Sequence, residues 1–155
     1  MKSFRTNFLA VVFIVTILKV VSCTPESCLE ETVAEMKIPF YLSSTQKNIA
    51  PDSLTIYGIH NESNKLYNST KNANRADLPL NPSAESCSFV IRINGVSDTI
   101  LLTYDSYAHF ISKECGYTYY HTIDSLAFTK NMIDTIIIKN RFVTTVNEEN
   151  FRILY

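Results

Sequence analysis

Apolar positions recur at every second residue along most of this chain, the spacing of half-buried β-strands rather than of helices. From about residue 33 onward the alternation runs through Ile38, Phe40 and Leu42, where Pro39 excludes a helix and predicts an edge strand. It continues through Leu54 and Ile56, then Phe89, Ile91 and Ile93, then Ile100, Leu102 and Tyr104. Tyr117, Tyr119, His121 and Ile123 repeat it, as do Ile136 and Ile138, and Phe151, Ile153 and Tyr155 close the series. Between two of these runs, Asn94-Gly95 supplies the positive φ angles of a tight type I′ hairpin turn.

Four segments share a polar prefix: Asp52-Ser53-Leu54, Asp98-Thr99-Ile100, Asp124-Ser125-Leu126 and Asp134-Thr135-Ile136. Asp and Ser/Thr side chains cap turns, so the pattern predicts four places where a loop hands over to a strand. The spacings are unequal, which excludes a tandem repeat, and no Asp-x-Asp-x-Asp-Gly calcium loop is present. Residues 60–86 form the most polar stretch, predicted as a meander with short strands near Lys65–Ser69 and Asp77–Leu80. The expected fold is an all-β antiparallel sandwich, immunoglobulin- or transthyretin-like, with a small β-barrel as the alternative.

Composition supports this and narrows the partners. Tyr and Phe contribute nine residues each, Gly only three, a balance that favours strands. The net charge is −1, and the residues from Cys23 onward carry about −4. That gives no clustered basic face for nucleic acid.

Residues 1–22 have a different character. Lys2 and Arg5 precede an eleven-residue apolar run from Phe8 to Leu18, the length of a signal-peptide core and too short for the roughly 20 residues of a membrane span. Val20-Val21-Ser22-Cys23 follows and resembles the lipobox of bacterial lipoproteins, with a branched residue at −3, a small one at −1 and the thiol that accepts diacylglycerol. Val in place of Leu at −3, and Lys19 close to the cut, depart from that pattern. The expected organisation is a signal peptide at 1–22, a lipidated N-terminus and tether at 23–32, and one sandwich domain at 33–155. The alternatives are a soluble secretory signal and an uncleaved anchor. By analogy with other lipoproteins, Thr24 in place of Asp favours the outer membrane. The Asn61-Glu62-Ser63 and Asn68-Ser69-Thr70 sequons are chance matches on this bacterial reading.

If Cys23 carries lipid, Cys28, Cys87 and Cys115 remain, and an oxidising compartment predicts one disulfide and one spare thiol. The chain-entropy model gives roughly 4.6 kcal/mol for Cys28–Cys115 and roughly 3.6 for Cys87–Cys115, too small a gap to decide among the three pairings. Cys28–Cys115 is preferred because it would tie the end of the tether to the domain, with Cys87 a buried strand thiol.

No motif announces catalysis. Gly-x-Ser-x-Gly, His-Glu-x-x-His and a phosphate-binding glycine loop are missing from the sequence. Asp105, Ser106 and His109 are read as a loop joining two strands. Glu148 and Glu149, adjacent in sequence, fit a turn before the last strand better than a glycosidase pair. Cys115 with His109 and His121 lacks metal-ligand spacing, so neither a metal nor a cofactor is expected. In Tyr117-Thr118-Tyr119-Tyr120-His121 the tyrosines suit a sandwich core; the competing reading makes Tyr117, Tyr119 and Tyr120 a stacking platform for sugar or peptide.

Cys23 and Cys28, Leu54-Thr55-Ile56-Tyr57-Gly58, Leu78-Pro79-Leu80 and Ile111-Ser112-Lys113-Glu114-Cys115-Gly116-Tyr117 together resemble an uncharacterised lipoprotein family of Gram-negative gut bacteria. The resemblance covers nearly the whole exported chain. It implies a small exported β domain and a disulfide between Cys28 and Cys115, with Cys87 an extra thiol, and it brings no catalytic residue. The expected function is a membrane-anchored, non-enzymatic accessory domain supporting another envelope component, such as an outer-membrane protein. The alternative is a cell-surface glycan- or peptide-binding module, and no small-molecule ligand is named by the sequence.

Overall fold

The computed structural model describes residues 27–155. The expected signal peptide, its expected cleavage point and the expected lipid site at Cys23 lie outside the described residues.

All regular structure among the described residues is strand: β1 (Glu35–Leu42), β2 (Lys47–Asn48), β3 (Leu54–Gly58), β4 (Tyr67–Thr70), β5 (Arg75–Pro79), β6 (Ser86–Ile93), β7 (Val96–Ser112), β8 (Gly116–Phe128), β9 (Thr135–Ile138), β10 (Phe142–Val143) and β11 (Phe151–Leu154). One sheet runs β2-β1-β11-β9, with β5 also paired to β1; the other runs β10-β8-β7-β6-β3-β4. The two curled sheets face each other in a sandwich or half-barrel, so the expected all-β class holds. It is not purely antiparallel, because β1 and β11 pair in parallel through Phe40↔Ile153 and Tyr41↔Leu154.

The alternating residues form the core between the sheets. Met36, Ile38 and Phe40 of β1, Ala76 and Leu78 of β5, and Phe151 and Ile153 of β11 are buried from one side. Leu54, Ile56, Ile91, Ile93, Ile100, Leu102, Tyr104 and Ile123 meet them from the other. Asn94 (φ 50°) and Gly95 (φ 91°) turn β6 into β7 with Ile93 opposite Val96, as the I′ signal predicts.

Three local expectations are corrected. Pro39 does not mark an edge: β1 is interior, with β5 and β2 on one flank and β11 on the other. The Phe40 N–H donates to Asn74 O, so alternation turns the Pro39 nitrogen towards the β11 side. There the Asn150 carbonyl already accepts from the Lys139 and Asn140 amides, and no ladder donor is missed.

Asp105, Ser106 and His109 do not form a loop. They lie inside β7, which runs 17 residues without interruption. Asp105 and His109 are exposed positions of a half-buried strand, and their polarity imitates a loop. Asp98 is likewise not a strand-entry cap. It sits buried within β7, and its carboxylate accepts from Thr129 Oγ1 and from the amides of Asn131, Met132 and Ile133 at 2.6–2.9 Å. Burial alone would raise the Asp98 pKa, but these four bonds hold it below the ordinary carboxylate value. Asp124, in the bulged stretch of β8, is also inside a strand, whereas Asp52 and Asp134 do precede β3 and β9.

Candidate functional site

β7 and β8 form the longest hairpin of the molecule, paired from Ile100↔Phe128 to Ser112↔Gly116. Residues of one parity share a face, so the stripe that is core at Ile100, Leu102 and Tyr104 continues through Ser106 and Ala108 to Phe110. On β8 the same face carries Ile123, His121, Tyr119 and Tyr117. The covering sheet does not reach the far end. Tyr104, His121 and Ile123 are at most 2% exposed, whereas Tyr119 and Phe110 are 49% exposed and Tyr117 72%. This corrects the core reading of the alternating tyrosines. Tyr117 and Tyr119 stand on the extension of a core face and are largely exposed among the described residues, and Phe110 meets Tyr117 edge-on at 5.1 Å.

Tyr120 belongs to the opposite face. Its ring stacks on His109 at 4.2 Å, meets Tyr107 edge-on at 6.1 Å, and its hydroxyl bonds Thr145 Oγ1. The candidate trio is therefore split: two free tyrosines and one held by its neighbours.

The hairpin tip is tied down covalently. Cys28 and Cys115 form a disulfide across Cα atoms 4.8 Å apart, and Thr118 Oγ1 donates to the Thr32 carbonyl. Beside this junction Leu29 is 91% exposed. Gly116, next to Cys115, turns the chain at φ 73°, a conformation that side chains disfavour. Aromatic residues, a free leucine and the N-terminal segment thus meet at one end of the molecule.

A family model described as a family of unknown function (DUF6452) matches residues 53–155. The chain belongs to that family. No curated protein and no solved structure matches it. The DUF6452 match contains the whole β7–β8 hairpin with Phe110, Cys115, Tyr117 and Tyr119, and it begins after β1 and Cys28.

Two further features of this DUF6452 chain bear on chemistry. Ser106 Oγ and His121 Nδ1 lie 2.8 Å apart, within β7 and β8. The contact resembles a nucleophile and its base, but the His121 ring is buried against the edge of Tyr104 at 5.6 Å, and burial lowers its pKa. A neutral imidazole fixed between strands satisfies the serine and closes the core. Asp105 and His109, near Ser106 in sequence, have the opposite parity on β7 and sit on exposed positions. The second feature is an open groove of about 580 Å³ on the other sheet, lined in part by Tyr41, Asn48, Asn72, Asn74, Asp77 and Glu149. Its polar groups are largely engaged with one another: Tyr41 donates to Glu149, Asn74 to Asn48, and Arg75 pairs with Asp77.

Cys87 is the free cysteine among the described residues, half-buried on β6. Burial pushes its thiol up to about 11, which keeps it protonated and poorly nucleophilic. Among the described residues, no group of three or more His, Cys, Asp or Glu could hold a metal ion. Sequence reasoning missed Phe110, Tyr107 and Leu29. The available signal was the apolar parity of Ile100, Leu102, Tyr104, Ala108 and Phe110, with no Gly or Pro between Ile100 and Gly116.

Proposed function

We propose that this chain is an exported, lipid-anchored accessory module of the cell envelope that acts by binding another envelope component, with no catalysis of its own. The observation that carries the reading is the uncovered aromatic face of the β7–β8 hairpin, linked to the N-terminal segment through Cys28–Cys115. A disulfide suits an oxidising, exported compartment, in agreement with the leader-like residues 1–22 and the lipobox at Val20–Cys23. Lipid on Cys23 would hold the module in the outer membrane, beside membrane proteins as candidate partners. The Ser106–His121 contact favours binding over hydrolysis, since its histidine lies in the core and no acid among the described residues hydrogen-bonds to it.

Labelling cells with radioactive palmitate tests the anchor: label is expected on the native chain and not on Cys23→Ala. An unlabelled native chain overturns it. Crosslinking in intact envelopes followed by detergent extraction tests the accessory role, with a reproducible partner expected.

A second reading, a surface module for glycan or peptide, is favoured by the exposure of Tyr117 and Tyr119. Tyr119→Ala distinguishes it by abolishing binding to a glycan or peptide array while leaving folding intact.

A further inference from the structure

We infer that the tip of the β7–β8 hairpin, with Leu29, Phe110, Tyr117 and Tyr119, rests in the headgroup region of the membrane that carries the lipid anchor. The inference rests on the Cys23 anchor proposed above and names what occupies the uncovered face.

Three observations lead to it. The first is length. Cys28 is bonded to Cys115 at the hairpin tip, and Cys23 stands five residues before Cys28. At about 3.5 Å per residue, five residues reach at most about 18 Å. An acylated Cys23 therefore cannot let the tip stand far from the bilayer, whereas a tether free of the disulfide would gain the further span of residues 29–34 before β1.

The second is chemistry. The side chains at this end are apolar or aromatic with a polar edge, and they are open: Leu29 91% exposed, Tyr117 72%, Phe110 and Tyr119 49% each. Tyrosine places an apolar ring in the acyl boundary and its hydroxyl among the headgroups, the arrangement that enriches it at membrane–water interfaces. These residues extend a core-facing stripe, so in water they leave apolar surface uncovered that a bilayer interface would cover.

The third is charge. Glu30, Glu31 and Glu114 flank the tip against Lys113. That net negative balance gives no attraction to anionic lipid, so the contact is apolar, and anionic lipid at low salt weakens it rather than strengthens it.

The protein contains no Trp, which permits a clean probe. Tyr117→Trp places one fluorophore at the tip, and Val96→Trp places one at the other end of β7, as much as about 45 Å away along the strand. Each full-length variant is purified from membranes, its lipid is verified by mass, and it is reconstituted into phosphatidylcholine vesicles with bromine at defined acyl depths. Loss of emission and a blue shift are expected for Tyr117→Trp, strongest with shallow bromine, not increased by anionic lipid, and absent for Val96→Trp. A lipidated protein in which neither probe is quenched overturns the inference and leaves the anchor standing. A mature chain without the lipid mass overturns the anchor and, with it, the inference. A tip shielded by a co-purifying protein or a bound glycan, and unquenched by bromolipid, gives the face to that occupant and overturns it too.

Discussion

The base and the tip of the β7–β8 hairpin are built from the same kinds of residue in the same alternation, yet they have opposite fates. At the base, Ile100, Leu102, Tyr104 and Ile123 face the other sheet and are at most 1% exposed. At the tip, Phe110, Tyr117 and Tyr119 continue the same face into the open. The base is secured by burial, and at its outer end by the Asp98 carboxylate gripping the 129–133 loop. The tip is secured by a disulfide and by hydrogen bonds to Thr32 and Thr145. A strand's own pattern says which side chains share a face, but not how far the cover extends.

The hardest way to break the contrast is to cut the covalent tie. Replacing both Cys28 and Cys115 with Ala should cost roughly 4.6 kcal/mol by the chain-entropy model. Urea unfolding checks the magnitude, and hydrogen exchange should show protection lost first at 107–119. A loss below about 1 kcal/mol would mean that the tip supports itself.

Next comes the base. Leu102→Ala should destabilise by about 3 kcal/mol through lost burial and a cavity, whereas Tyr119→Ala should cost no more than about 0.5 kcal/mol. Equal losses in urea would erase the distinction between covered and uncovered halves. Tyr120→Ala should fall between them, near 1 kcal/mol, because its stacking on His109 is lost.

Asp98→Asn should cost about 2 kcal/mol, since an amide presents hydrogens to some of the three backbone amides that the carboxylate now satisfies. The wild type should show the matching pH dependence. With a folded pKa below the unfolded value of about 3.9, the Asp98 contribution is present above that value and is lost as pH falls through the folded one. The smallest effect belongs to His121. Its folded pKa is lowered by burial, so stability should start to decline as pH drops below about 6.5, where the unfolded chain begins to take up the proton. Thermal unfolding between pH 7 and 5 should show this slope in the native chain and lose it in His121→Phe.

Much of the framework was readable beforehand. Alternation assigns Leu54–Ile56, Phe89–Ile93 and Phe151–Ile153 to strands, and the φ requirement assigns Asn94-Gly95 to a tight turn, because both are local properties. The Cys28–Cys115 pairing was preferred and is present, although chain entropy alone did not select it. The misreadings share one cause. Judged by their sequence neighbours, Pro39 belongs at an edge, Asp98 at a strand entry and Ser106 in a loop. Each is accommodated by residues far along the chain: Asn150 beside β1, Asn131–Ile133 beneath Asp98, and His121 across from Ser106.

The sequence by itself determined that this chain forms strands, where its clearest hairpin turns, and which residues alternate together, since backbone geometry carries those signals over a few residues. Only the tertiary structure decided which stretch of a continuous stripe becomes core and which becomes surface. That depends on where the opposing sheet ends, a boundary set by strands from both ends of the chain. Tyr104 and Tyr119 lie on the same face of the same hairpin; one closes the core, and the other stands uncovered beside the disulfide-tied tip.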